Sequence, residues 1–236
     1  MAKAKTGVAA VDRALSILDS FHPGNEAQTL SELSERTGLY KSTILRLIES
    51  LEERGYLAQH GDGKYRVGPT APRLASLYRS STHLGQLIMP LLDSLAEQSR
   101  ESASFYVREG DVRVCLYRVD APRAIRDHIE PGNVLKLHQG AGGKVLLAFS
   151  GEPGNEFDRI RRTGVIASFG ERDSETAAVA CPVFSTNDKL VGALSLSGPL
   201  ARFNKAAVSK MGDLLRKSAY DLSRSLGGDA APLKPK

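Results

Sequence analysis

The sequence predicts an α+β protein in two parts: a small helical segment closed by a β-hairpin, and a larger domain with a mostly antiparallel sheet. Three observations carry that expectation. Apolar residues recur at three- and four-residue spacing through much of residues 8–53. Runs of alternating polarity, bounded by turn-forming residues, fill much of residues 104–197. An amphipathic stretch from Lys205 to Leu226 closes the chain.

In the first part, Val11, Ala14, Leu15, Leu18 and Phe21 form one stripe of a helix over residues 8–21, with Asp12, Arg13, Ser16 and Asp19 outside it. His22-Pro23-Gly24-Asn25 stops it, because proline lacks an amide hydrogen and disfavours helix at the residue before it. Thr29-Leu30-Ser31-Glu32 is a capping box opening a short second helix, and Gly38 suits the left-handed position that ends it. A third helix starts near Tyr40. Over Lys41 to Glu53, Ile44, Leu45, Leu47, Ile48 and Leu51 share one arc, leaving Ser42, Thr43 and Arg46 on the other near the N-terminal end. Tyr56 to His60 and Lys64 to Val67 flank Gly61-Asp62-Gly63 as a β-hairpin, with Tyr65 and Val67 expected toward the core.

Two helices joined by a tight glycine turn and followed by a hairpin make a winged helix-turn-helix, whose second helix fits the major groove of double-stranded DNA. In that frame Ser42, Thr43 and Arg46 are expected at base edges, and Arg13, Lys41, Lys64 and Arg66 at phosphates.

A helix over residues 70–81, with Ala71, Leu74, Ala75, Leu77 and Tyr78 in its stripe, is expected to link the two parts and to find its partner in a second subunit. Leu84, Leu87, Ile88, Leu91, Leu92 and Leu95 mark a longer helix that Pro90 must kink or restart. Strands are expected at Ser104–Arg108, Val112–Val119, Ala124–Ile129, Val165–Phe169, Val179–Ser185 and Leu190–Ser197. The expected layout is a DNA-binding domain over 1–68, a linker over 69–82, a second domain over 83–227 and a frayed tail over 228–236.

Leu137 to Val145 is glycine-rich but is not a nucleotide-binding phosphate loop. His138 stands where the first glycine belongs, and Val145 follows Lys144 where a magnesium-binding hydroxyl would be needed. Two uses remain open. The amides of Ala141, Gly142 and Gly143 sit at the positive end of a helix and suit an anion, or the small residues serve close helix–sheet packing.

Composition narrows the classes. With 236 residues, 41% hydrophobic and 25% charged, the chain is neither collagen-like, coiled-coil nor wholly disordered. The net charge of +5 permits a polyanionic partner, but the excess is spread along the chain, so any nucleic-acid argument rests on where the bases sit. Two cysteines and no apolar leader point to a reducing, cytoplasmic setting, and the longest apolar run, Val145 to Phe149, is too short to enter a membrane as a span. An enzyme with Cys115 or Cys181 as nucleophile and His128 or His138 as base is disfavoured, because both cysteines lie in apolar strands. The histidines and cysteines show no metal-ligand spacing, and no cofactor motif is present. A DNA-binding protein that senses no ligand is the remaining alternative.

The segments VDRALSILDSF, TLSELSERTGLYKSTILRLIESLEERGYL, LHQGAGGKVLLAF and VACPVFSTNDKLVGALSLSGPLARF, in this order, resemble the IclR family of bacterial transcriptional regulators. The resemblance implies a winged helix-turn-helix, a linker helix and a GAF-like effector domain, assembled as a dimer or dimer of dimers on palindromic operators and controlled by a small organic acid. Carried over by position, it implies an effector pocket lined by Ala141, Gly142, Ser195 and Ser197, with Ser168 and Ala178 where the family's small-acid sensors tend to place an acidic residue and a cysteine. Ser195 and Ser197 alternate onto one strand face, so both hydroxyls can meet one carboxylate. The change at Ser168 and Ala178 leaves room for a larger or less polar acid, and the short stretch between Lys144 and Gly164 implies a reduced pocket wall.

Overall fold

The computed structural model describes residues 7–22, 24–81 and 83–234. It divides into two compact units, residues 1–82 and 83–236. Pro23, the expected helix stop, lies outside the described residues, as do residues 1–6, Thr82 and the last two residues of the expected tail.

The first unit runs α1 (Ala9–Asp19), β1 (Ala27–Gln28), α2 (Leu30–Thr37), α3 (Lys41–Glu53), β2 (Leu57–Gln59), β3 (Tyr65–Val67) and α4 (Thr70–Ser81). The capping box forms at α2: the Thr29 amide donates to Glu32 Oε2 at 2.7 Å, and the Glu32 amide donates to Thr29 Oγ1 at 3.3 Å. Gly38 ends α2 at φ 69°, a left-handed conformation that glycine adopts without penalty, and α3 begins three residues on. Ile17, Leu33, Ile44, Ile48, Leu51, Leu57 and Tyr65 form the core. The wing is antiparallel, with β3 between β2 and the two-residue β1. Three apolar residues expected inside stand out from this core. Leu15 is half exposed because the buried arc of α1 centres on Ala14, Ile17 and Phe21, and a one-residue step turns the helix by about 100°. Val11 lies at the same margin, and Val67 faces outward on β3.

The second unit runs α5 (His83–Ser99), β4 (Ser102–Glu109), β5 (Val112–Val119), β6 (Val134–Lys136), α6 (Gly140–Phe149), α7 (Asn155–Thr163), β7 (Ile166–Phe169), β8 (Thr176–Phe184), β9 (Leu190–Pro199) and α8 (Lys205–Ser225). One antiparallel sheet in the order β6-β5-β4-β9-β8-β7 separates two apolar layers. Helices α5 and α8 cover one face through Ile88, Leu92, Phe105, Leu194, Leu196 and Leu215. Helices α6 and α7 cover the other through Tyr106, Cys115, Ala141, Leu146, Ile160 and Ala193. Helix α5 runs on through Pro90.

A β-bulge interrupts this alternation. Phe105 pairs with Tyr117 and Tyr106 with Cys115, so Leu116 is the extra residue. Leu116 and Tyr117 both pack toward α5, whereas Cys115 on one side of the bulge and Arg118 on the other face α6. Arg113, two residues before Cys115, shares that face.

Two sequence expectations change, and one unforeseen helix appears. Residues 124–129 form no strand; they belong to a loop held by side-chain bonds from Arg118, and Val134–Lys136 takes the edge of the sheet instead. The stretch between Lys144 and Gly164 contains α7, whose polar sequence hides a single fully buried residue, Ile160. The tail is packed rather than frayed: Ala230 and Leu233 are fully buried, and Asp188 Oδ1 accepts the Asp229 and Ala230 amides at 2.9 and 3.3 Å. Leu233 is the one large apolar side chain after Leu226, and it joins the α5/α8 core cluster. Leu233→Ala is therefore expected to lower stability by roughly 2–5 kcal/mol in denaturant unfolding, where a frayed tail would give no change.

Candidate nucleic-acid interface and ligand pocket

Helix α3 buries Ile44, Ile48 and Leu51 and turns Lys41, Ser42 and Arg46 outward, with Thr43 half-buried beside them. No hydrogen bond or ion pair engages the Arg46 side chain among the described residues, and Lys41 Nζ reaches only Ser31 Oγ, at 2.8 Å. Arg13 is exposed on α1, and Lys64 is half-buried at the wing. Arg66 departs from expectation. Its guanidinium is held by Asp62, Nη2 to Oδ2 at 2.7 Å and Nη1 to Oδ1 at 3.1 Å, so the wing's own carboxylate occupies it. The Arg66 guanidinium and the Lys64 amide together hold the Asp62 carboxyl well below the usual carboxylate range.

Two exposed residues of this surface escaped the sequence reading. Tyr40, the residue before α3, is 84% exposed, and Leu45, expected in the core arc, is 47% exposed. Leu45 lies between Lys41 and Ser42 around the helix, on the outward face, and offers an apolar contact of the kind a thymine methyl takes.

In the second unit a pocket opens between the start of α6 and the sheet. Ala141, Ser168, Ala178, Ser195 and Ser197 line it; Gly142 does not. Two of the polar groups expected to await a ligand, the Ala141 amide and the Ser197 hydroxyl, are already engaged, as is the neighbouring Gly140 amide. The Ala141 amide donates to Ser168 Oγ at 2.8 Å, the Gly140 amide donates to Glu171 Oε2 at 3.0 Å, and Ser197 Oγ donates to Asp127 Oδ2 at 2.9 Å. Glu171 also takes Lys144 Nζ at 2.6 Å. Burial alone would lower the Lys144 pKa, but Glu171 and Glu156 outweigh it and raise the value.

The glycines of α6 make room for a side chain. A methyl group at Gly142 would fall 2.8 Å from Arg113 Nη1, and one at Gly143 would fall 2.0 Å from the Leu137 carbonyl oxygen. Close packing therefore accounts for both glycines. The expected space for a larger acid is also absent: the cavity measures about 20 Å³, enough for one water.

Two buried arginines on β5 frame the pocket and were not foreseen. Arg118 is fully served: Nε donates to Asp120 at 2.8 Å, Nη1 to Ser104 Oγ at 3.0 Å, and Nη2 to both the carbonyl and Oδ1 of Asp127 at 2.9 Å. Burial alone would lower its pKa, but Asp127 reverses that and raises it. Arg113 has no such partner. It is 4% exposed, its Nε meets no acceptor, and its guanidinium carbon lies 4.5 Å from the centre of the Tyr106 ring. A desolvated cation–π contact contributes about 2 kcal/mol, less than the several kcal/mol that an unpaired buried charge costs. Burial lowers the Arg113 pKa; Tyr106 opposes this and Arg172 adds to it. The sequence held one signal: residues 113 and 118 have opposite parity, so a regular strand could not put both on one face.

Among the described residues no group of three potential metal-ligating side chains comes together, and no helix is long and apolar enough to cross a membrane. Cys115 and Cys181 are buried and unpaired, while His128 and His138 are exposed.

A winged helix-turn-helix joined to a separate α+β unit that carries a pocket is the architecture of a transcriptional regulator with an effector domain. Residues 10–61 match the IclR helix-turn-helix domain, and residues 76–154 and 154–224 match the bacterial transcriptional regulator IclR C-terminal domain. The chain belongs to the IclR family. It is similar to the HTH-type transcriptional regulator BhcR of Paracoccus denitrificans, 28% identical over 92% of this chain and 87% of that protein. A crystal structure of an IclR-type regulator from Silicibacter sp. TM1040 superposes with a TM-score of 0.82, at 26% identity, over 97% of this chain and 100% of that one. An IclR homologue from Microbacterium hydrocarbonoxydans, solved with 4-hydroxybenzoate, has a TM-score of 0.75 at 24% identity, over 92% of this chain and 99% of that one. The transcriptional repressor IclR of Escherichia coli, 23% identical over 94% of this chain and 91% of that protein, is a further relative named as a transcriptional regulator.

Thiol chemistry follows from the burial. Desolvation pushes Cys115 up to about 11 and Cys181 up to about 12. At pH 8 the thiolate is then a very minor form of either, so the native protein is expected to resist iodoacetamide and to take up two labels only after unfolding, counted by mass spectrometry.

Proposed function

We propose that this regulator binds a palindromic operator as a homo-oligomer and that a small organic acid in the α6 pocket controls the binding. The observation that carries the DNA reading is the outward face of α3, where Ser42, Thr43 and Arg46 stand at the N-terminal end away from the core. In this reading those three meet base edges, while Arg13, Lys41 and Lys64 meet phosphates. Residues 1–68 bind DNA, the helix within 69–82 links, and the unit from residue 83 senses the effector. Half-exposed Leu74 and Leu77 on α4, Val11 and Leu15 on α1, and Val8 just before α1 are apolar surface that a second copy of the chain would cover. The acid finds support in the pocket's buried guanidinium and in the hydroxybenzoate held by the structural neighbour. The cytoplasm, where DNA and metabolite meet, is the expected site of action.

The two kinds of DNA contact separate by experiment. Genomic fragments retained by the purified protein supply the operator. Arg46→Ala is then expected to lower the preference for that operator over unrelated duplex by about 1–3 kcal/mol. Lys64→Ala is expected to weaken every sequence alike and to reduce the slope of log affinity against log salt by about one. Unchanged selectivity in Arg46→Ala, measured by fluorescence anisotropy, removes α3 from the groove.

A further inference from the structure

Arg113 is a buried cation that the chain does not neutralise. The carboxylates nearest the pocket are committed elsewhere: Asp127 to Arg118 and Ser197, and Glu171 to the Gly140 amide and Lys144. Its placement makes the charge worse. Both terminal nitrogens press on the first turn of α6, where methyl groups at Gly142 and Gly140 would come within 2.8 Å of Nη1 and 3.3 Å of Nη2. That turn is the positive end of the helix macrodipole. Arg172 approaches from the loop between β7 and β8. Two guanidinium groups thus border one small cavity with a helix N-terminus behind them.

We propose that Arg113 is the receptor for the carboxylate of a short-chain acid, with Arg172 as the second cation that closes on it. The proposal rests on the effector reading above and narrows it to an anion recognised by guanidinium rather than by the α6 amides or the β9 hydroxyls. A planar fork matches a carboxylate in two parallel hydrogen bonds, which supplies orientation as well as attraction. Arg172 is free to take part, because its side chain is a quarter exposed and its contact with Asp127 Oδ2 is a loose 3.6 Å. Ile129, Ala177 and Ala178 give part of the wall an apolar stretch that suits a short hydrocarbon end. With about 20 Å³ open, the acid enters only as Arg172 moves aside, which favours a ligand of few atoms.

The test uses the full chain with sodium acetate, which presents the head group alone, and sodium butyrate. Sodium chloride controls for ionic strength, acetamide is the uncharged isostere, and sodium phosphate is the competing anion. Acetate or butyrate is expected to raise the melting temperature of the wild type where chloride, acetamide and phosphate do not. By calorimetry, Arg113→Met is expected to bind the carboxylate about ten- to a hundred-fold more weakly, the size of a lost charged hydrogen bond. Arg113→Lys, which keeps the charge and loses the fork, is expected to fall between them and stands in if the methionine variant does not fold. Equal carboxylate binding by wild type and both variants overturns the role of Arg113 and leaves the effector reading intact. A response to acetamide equal to that to acetate, a response to phosphate alone, or no response to any probe overturns the carboxylate receptor. Operator binding by the wild type without added acid judges the DNA reading separately.

Discussion

The second unit depends on how a β-sheet can bury arginine. A guanidinium taken from water costs several kcal/mol unless an anion meets it, and breaking such a pair from one side costs about 3–5 kcal/mol. The Leu116 bulge puts Arg118 under α6, and Asp127 meets it there with both a carboxylate oxygen and a backbone carbonyl. That pair fixes the long connection between β5 and β6, because Asp127 sits in its middle and Ser197 on β9 holds the other carboxylate oxygen. Pocket wall, loop path and sheet face are thus tied together by one buried ion pair. Arg113, on the same strand and the same face, is the contrasting case: the same desolvation without the same partner.

The first unit works under a different constraint. Among the described residues its core cluster holds seven buried apolar residues, and large side chains such as Tyr40, Leu45 and Leu15 stay in water. Exposed apolar and hydroxyl groups on a helix that begins immediately after a tight turn are poorly explained by folding and well explained by docking. Asp62 adds a second control, since a carboxylate two residues before Lys64 and clamped to Arg66 reduces the positive charge that the wing offers. Control of such a surface by an acid requires that the acid bind two conformations unequally, by about 1–3 kcal/mol for ordinary allosteric coupling.

Most of the architecture was legible because its signals are local. The Thr29–Glu32 box, the Gly38 stop, the arc of α3 apart from Leu45, and the alternation of β9 all depend on residues within one turn or one strand, and each forms where the spacing puts it. The losses are non-local. Residues 124–129 alternate like a strand, but the Arg118 side chain, nine residues earlier on β5, takes the Asp127 carbonyl and carboxylate and holds the segment as a loop. The last residues, rich in alanine, proline and lysine, have a loop's composition, yet Leu233 finds a place in the core far away in sequence. The site suffered most. Serines and glycines were visible as motif positions, whereas the Arg113, Arg118 and Asp127 cluster exists only because a bulge and a long loop bring together residues that no spacing links.

The order of strands has a consequence for how the molecule behaves in a crowded solution. The six-stranded sheet ends on β6 and β7, three and four residues long, while the eight- to ten-residue strands lie inside. An outer strand offers unpaired amide and carbonyl groups to any extended chain nearby, and the number it offers grows with its length. Placing the shortest strands outermost gives a would-be fibril little ladder to extend, even though Val134 and Phe169 keep apolar side chains at those borders.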